Sequence, residues 1–213
     1  MKEQYFDNIK EWSPDYVVLG KIMALSLLQN GKLPKVLSAD LVEEVFKSDS
    51  MRPCVKDLRK GLDSLGIYQL SITLPMVVHL FTPGPQQHMK FRQLTSILTP
   101  QFSPEGSNRR KRESAIYSLF VKYIREAASG RRGMVDLRCI LRFATGTEEE
   151  PALGYSIDPS IQFVEGTSFM PTANTCINKM NLTIPDSNEV SVGKDFLFNL
   201  FDYAFSNTFF GMK

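Results

Sequence analysis

The chain has 213 residues, enough to bury a real core as one large domain or two small ones. Apolar residues make up 43% and charged residues 23%, the balance of a folded protein rather than a disordered one. The net charge of +2 is too small to argue for a nucleic-acid surface, and the longest apolar run, VVLGKIMALSLL, is broken by Lys21 and too short to span a bilayer.

From the N-terminus, MKEQYFDNIKEW is charged and aromatic, without the apolar region of a signal peptide, so an intracellular, soluble protein of cytoplasm or nucleus is expected. Ser13 and Pro14 suit a helix start, and Val18, Ile22, Leu25 and Leu28 carry that helix towards a stop at Asn30-Gly31. It is apolar on most of its surface, which predicts a position inside a helical layer. A second helix is expected after Ser38, with Leu41, Val42, Val45 and Phe46, and a third over Val55, Leu58, Leu62 and Leu65 to Gly66. FTPGPQQ reads as a loop, FRQLTSIL as a short helix and TPQFSPEGSN as another loop. His79, in an apolar stretch, reads as a packed histidine.

The strongest helical pattern runs from about Asn108 to Ala128, with Ile116, Leu119, Phe120, Tyr123 and Ile124 on one stripe. Its first turn, NRRKRE, reads as solvated charge in preference to a localisation or phosphate-binding signal. SGRRG, from Ser129 to Gly133, puts two glycines around two arginines and reads as a flexible joint. The chain is therefore divided into a mostly helical lobe over 1–130 and a small mixed α/β lobe over 131–213, an α+β fold. In the second lobe VDLRCILRFATG predicts a short helix ending at Gly146, TEEEPALG an acidic loop, and YSIDPSIQFVE strand pieces interrupted by Pro159. Met180, Leu182 and Ile184 alternate with polar residues as a half-buried strand. A last helix is expected to bury Phe196, Leu197, Leu200, Phe201, Ala204 and Phe205 on one face.

Cys54, Cys139 and Cys176 are an odd, widely spaced set, neither a disulfide framework nor a metal-ligand pattern. With only His79 and His88 besides, no metal site and no cofactor are expected. Cys139 falls in an apolar helical pattern and reads as core. Cys54 follows Pro53 at a helix start, where a helix terminus can favour the thiolate, yet a structural role is favoured there too. Cys176 lies at a loop-to-strand junction in FMPTANTCINKMNL. Local chemistry leaves open whether it is a buried small hydrophobe or a nucleophile. No histidine lies within its motif, so a papain-like protease has no support. A carrier cysteine that exchanges one thioester for another needs less: exposure and room for a large partner.

FMPTANTCINKMNLTIP resembles the catalytic-cysteine motif of HECT-domain ubiquitin ligases, roughly Leu-Pro-x-Ala-x-Thr-Cys-x-Asn-x-Leu-x-Leu-Pro. Pro171, Ala173, Thr175, Cys176, Asn178, Leu182 and Pro185 fall close to that register, the last displaced by one residue. LRFATGTEEEPALGY, Leu141 to Tyr155, resembles the family's Leu-x-Phe-Val-Thr-Gly-Thr segment, and Phe210, fourth from the end, resembles a tail phenylalanine of the family. LGKIMALSLLQNGKLP is similar to a helix of the family's first lobe. LRKGLDSLGIYQL and FSPEGSNRRKRE look like segments of its G2/M-phase-specific E3 ligase-like branch. The resemblance implies a two-lobed HECT fold hinged at SGRRG, in which Cys176 accepts ubiquitin from an E2 as a thioester and passes it to a substrate lysine. It implies that Thr175 and Asn178 shape the cysteine loop and that Phe210 helps hold the lobes together. The partners it implies are ubiquitin, an E2 and a protein substrate, with neither nucleic acid nor membrane. Three departures stand out: Asn174 where the family often has His, Ile177 where it often has an aromatic, and KSDSMR alone where the E2-docking subdomain should lie. A shortened first lobe is expected, and the alternative is a non-catalytic HECT-like module that binds ubiquitin or a partner.

Overall fold

A computed structural model describes residues 13–29, 34–84, 88–187 and 192–207. The elements are helix α1 (Ser13–Leu28), α2 (Ala39–Lys47), α3 (Pro53–Asp63), α4 (Ile67–Thr73) and a 3-10 turn over Pro75–Leu80. There follow α5 (Phe91–Ile97), β1 (Thr99–Pro100), α6 (Asn108–Ala128), α7 (Leu137–Thr145), β2 (Ser160–Glu165), β3 (Thr172–Asn174), β4 (Lys179–Ile184) and α8 (Lys194–Ser206). The mixture of helices and one four-stranded sheet makes the fold α+β. Among the described residues no helix is long and apolar enough to cross a membrane.

The chain divides into two compact units, the first over 1–86 with 151–154 and the second over 87–150 with 155–213. The division expected at 130/131 is therefore moved. α6 cannot belong with the first unit, because Ile116, Phe120, Tyr123 and Ile124 are buried in one cluster with Leu141, Leu182 and Phe201. SGRRG is not a loose joint either. The Gly130 and Arg131 amides donate to Ala127 and Glu126 carbonyls, and the Arg132 guanidinium grips Asp202 of α8 and the Glu126 carboxylate. Glycine supplies the left-handed backbone there, and the arginine ties the turn down.

In the first unit, Ser38 caps α2 by accepting from the Leu41 amide, as the sequence predicts. α1 crosses α3 at two glycines: a Cβ on Gly61 would lie 2.2 Å from the Val17 carbonyl oxygen, and one on Gly20 2.5 Å from that of Leu58. This close approach lets Met23, Ala24, Val55, Leu58 and Leu62 share one core. α1 is not enclosed by a helical layer, however. Val18, Ile22, Leu25 and Leu28 form an exposed stripe, so its all-round apolarity does not report its burial. The stop expected at Asn30-Gly31 lies outside the described residues. His79 is exposed rather than packed, with Val77 and Val78 turned inward instead.

In the second unit the strand order is β1-β2-β4-β3. β1 and β4 flank β2 in parallel, and β3 runs antiparallel to β4. Met180, Leu182 and Ile184 point into the core from β4, and Ile161 and Phe163 from β2, the period of two expected of a half-covered sheet. β1 falls where the sequence reads as loop. α8 adds Leu197, Phe198, Phe201, Ala204 and Phe205. Phe198 replaces the expected Phe196, which is 57% exposed, because Phe198 meets the Tyr123 ring edge-on at 5.2 Å.

Candidate functional site

Cys176 stands at the tip of the β3–β4 hairpin. The ladder runs Thr172 to Asn181, Ala173 to Met180 and Asn174 to Lys179, and the four residues Thr175 to Asn178 close it. Thr175–Ile177 form a single 3-10 turn, and the thiol is exposed. Two asparagines make this tight tip possible. The Asn174 side-chain oxygen accepts the Cys176 amide at 3.1 Å, an Asx turn that satisfies the otherwise unpaired donor. Asn178 takes the left-handed conformation, φ 51°, the only non-glycine residue among those described to do so. Its side-chain amide donates to the Ile157 carbonyl at 2.7 Å, and its own carbonyl accepts the Ser160 amide at 2.9 Å. The tip is thus bolted to the start of β2.

The second motif segment arrives from below. α7 ends at Gly146, itself left-handed at φ 80°, and a Cβ there would meet the Thr175 side chain at 3.6 Å. The half-buried Thr175 therefore rests on the helix end. Thr145 is fixed by its hydroxyl bonding the Leu141 carbonyl and the Thr147 hydroxyl, which in turn meets Tyr155 at 3.4 Å. Burial pushes the Tyr155 phenol up in pKa. The acidic run is tied back as well: Arg142 holds Glu148 at 2.9 Å and Arg138 holds Glu149 at 3.8 Å.

Thr175, Cys176 and Asn178 are thereby brought together, with Asn174, Gly146 and the Ile157 carbonyl as supports. The sequence marked Asn174 only as a departure; its spacing of two before the cysteine is the signal for an Asx turn. Phe210 lies outside the described residues. Cys139 is half-buried against the core, and burial raises its pKa, which makes it a poor nucleophile. Among the described residues no cluster of side chains fits a metal ion. The site is a solvent-facing sulfur on a rigid support, and its Sγ makes no hydrogen bond among the described residues. Exposure gives such a thiol access to an incoming thioester, one of the conditions for exchange.

The sequence model of the HECT-domain (ubiquitin-transferase) family matches residues 39–194, more than half of the chain. The chain belongs to the HECT-domain family. The matched range takes in both motif segments that meet at the hairpin tip, and transfer of ubiquitin is the activity this family membership brings with it. No curated protein matches the chain.

Proposed function

We propose that this HECT protein is a ubiquitin transferase that works through Cys176. The observation that carries the reading is the exposed thiol at the hairpin tip, inside the family's cysteine motif. The Cys176 thiolate attacks the carbonyl of the E2–ubiquitin thioester, a new thioester forms on Sγ, and the E2 thiolate leaves. A substrate lysine amine then attacks that carbonyl, an isopeptide bond forms, and the Cys176 thiolate departs while the amine's surplus proton passes to water. Thr175 and Asn178 hold the tip in shape. The two compact units are read as the family's two lobes, with the cysteine in the second, and the chain as a member of the G2/M-phase-specific branch with a shortened first lobe.

A second reading, a non-catalytic module that binds ubiquitin or a partner, is favoured by one observation. The stretch between α2 and α3, where the E2 platform should lie, is a short bend locked by Arg59. Its guanidinium donates to the carbonyls of Glu44, Val45, Ser48 and Ser50. Incubation with E1, a panel of E2s and ubiquitin separates the two on a non-reducing gel. The transferase gives a thiol-sensitive adduct that Cys176→Ala abolishes. Absence of an adduct with every E2, together with shifts of labelled ubiquitin in an NMR titration, establishes the binding module instead.

A further inference from the structure

Two asparagines flank the cysteine tip, and they use their side chains differently. Asn178 engages its amide nitrogen, which donates to the Ile157 carbonyl at 2.7 Å. Asn174 engages its oxygen, which accepts the Cys176 amide at 3.1 Å. That bond fixes which end of the Asn174 side chain faces the backbone, since only the oxygen can accept. The Asn174 nitrogen, with two N–H donors, has no acceptor among the described residues, and the side chain is exposed. Its directly opposite neighbour across the ladder is Lys179, whose ammonium has no lone pair to offer it.

A thioester on Cys176 forms and breaks through a tetrahedral intermediate whose former carbonyl oxygen carries the negative charge. Donors already aimed at that oxygen stabilise it. At the tip the Cys176 amide is taken by Asn174, the Asn178 nitrogen is taken by Ile157, and Thr175 is turned onto Gly146. The Asn174 nitrogen is left over. It shares a carbon with the oxygen held at Cys176, so it sits beside the residue that carries the acyl group, and the Asx turn orients it before any substrate arrives. We propose that Asn174 is a catalytic residue whose side-chain N–H groups donate to the acyl oxygen while the Cys176 thioester forms and while it is aminolysed. An amide does this without titrating, so the donation does not depend on pH. The inference rests on thioester chemistry at Cys176, and its test uses no E2, so that the two can fail separately.

The full chain is treated with S-phenyl thioacetate: the Cys176 thiolate attacks the carbonyl, a new thioester forms on Sγ, and thiophenolate leaves. In parallel it is treated with iodoacetamide, whose loss of iodide to the same thiolate forms no oxyanion. Peptide mapping gives both rates at Cys176, apart from Cys54 and Cys139. Both reactions need the same thiolate and the same access, so the ratio of acetylation to alkylation isolates the donor. Asn174→Ala removes the donor and the turn without adding charge. Asn174→Asp keeps an oxygen that can accept the Cys176 amide and loses the N–H groups. The ratio should fall about tenfold in both, less than the roughly 100–1,000-fold of an enclosed oxyanion site, because water competes at an exposed one. An unchanged ratio, a fall confined to Asn174→Ala, or equal slowing of the two reactions would each overturn the proposal. A chain that no E2 charges, yet whose ratio falls in both variants, supports this role for Asn174 and overturns the transferase reading alone.

Discussion

Asn178 and Gly146 both take left-handed backbone beside the cysteine, yet only one is glycine. At Asn178 the side chain offsets the backbone cost by bonding the Ile157 carbonyl. Two substitutions separate these contributions. Asn178→Gly keeps the backbone free to turn and loses the hydrogen bond, at about 1 kcal/mol. Asn178→Ala loses both and should cost about 2 kcal/mol, adding the left-handed penalty. Urea midpoints that rank the two variants the other way would mean that the backbone conformation contributes nothing. The Thr-Cys-x-Asn pattern made the site legible by resemblance, but local chemistry alone left Cys176 undecided, since exposure is a tertiary property. The Asn178–Ile157 bond spans 21 residues, and no local pattern reports it. Phe196 and Phe198 were confused for a related reason. Three apolar residues in a row, Phe196, Leu197 and Phe198, satisfy the helical period in more than one phase.

Helix α6 shows how far an element can be read and where reading stops. Its bounds were legible from periodicity and from Ala128 meeting a glycine-rich turn. The use of its basic first turn was not. Arg109 and Arg112 both reach Glu165 at the end of β2, Arg109 also bonds the Phe163 carbonyl, and Arg110 lies over the Phe102 ring at 3.9 Å. NRRKRE is thus mostly a clamp between helix and sheet rather than solvated charge. At its centre the Glu113 carboxylate is only 1% exposed. Burial alone would raise its pKa, but the Ser103 amide and hydroxyl and the Arg109 guanidinium outweigh this and hold it below the ordinary value of 4.5. A depressed folded pKa contributes stability that is fully present above pH 4.5 and is lost as pH falls through the folded value. Glu113→Gln should therefore flatten the decline in urea midpoint between neutral and acidic pH, and destabilise by about 1–3 kcal/mol at neutral pH. In the first unit, the α1–α3 crossing leaves no room for a methyl group. Gly61→Ala should cost about 1–3 kcal/mol or more, while an exposed glycine such as Gly84 should tolerate alanine within about 0.5 kcal/mol. Comparable losses at both sites in thermal unfolding would rule out the close crossing. β1 escaped the sequence because two residues carry no periodicity; its identity comes from pairing with Ser160 and Ile161.

At the scale of the molecule, the described residues form two hydrophobic cores that share no residue, one from Met23 to Phe81 and one from Leu94 to Phe205. The α+β class and the helical character of the first unit were legible, but the division was not. A glycine–arginine stretch looks mobile in sequence, and the carboxylates that hold Arg132, Glu126 beside it and Asp202 70 residues on, do not show in its local pattern. The expected outcome is that residues 87–213, expressed alone, unfold cooperatively in urea and keep the near-ultraviolet signal of the Phe120–Tyr123–Phe201 ring cluster. A molten fragment would show that the second core needs the first unit. The outer strands of the sheet bear on how that fragment is handled. β1 has two residues, one of them Pro100, and β3 has three, ending in the Asn174 turn. Neither offers a foreign strand a row of open amides long enough to extend the sheet. Strand addition to β1 or β3 is thereby disfavoured, and a fragment that formed fibres would have to do so through another edge.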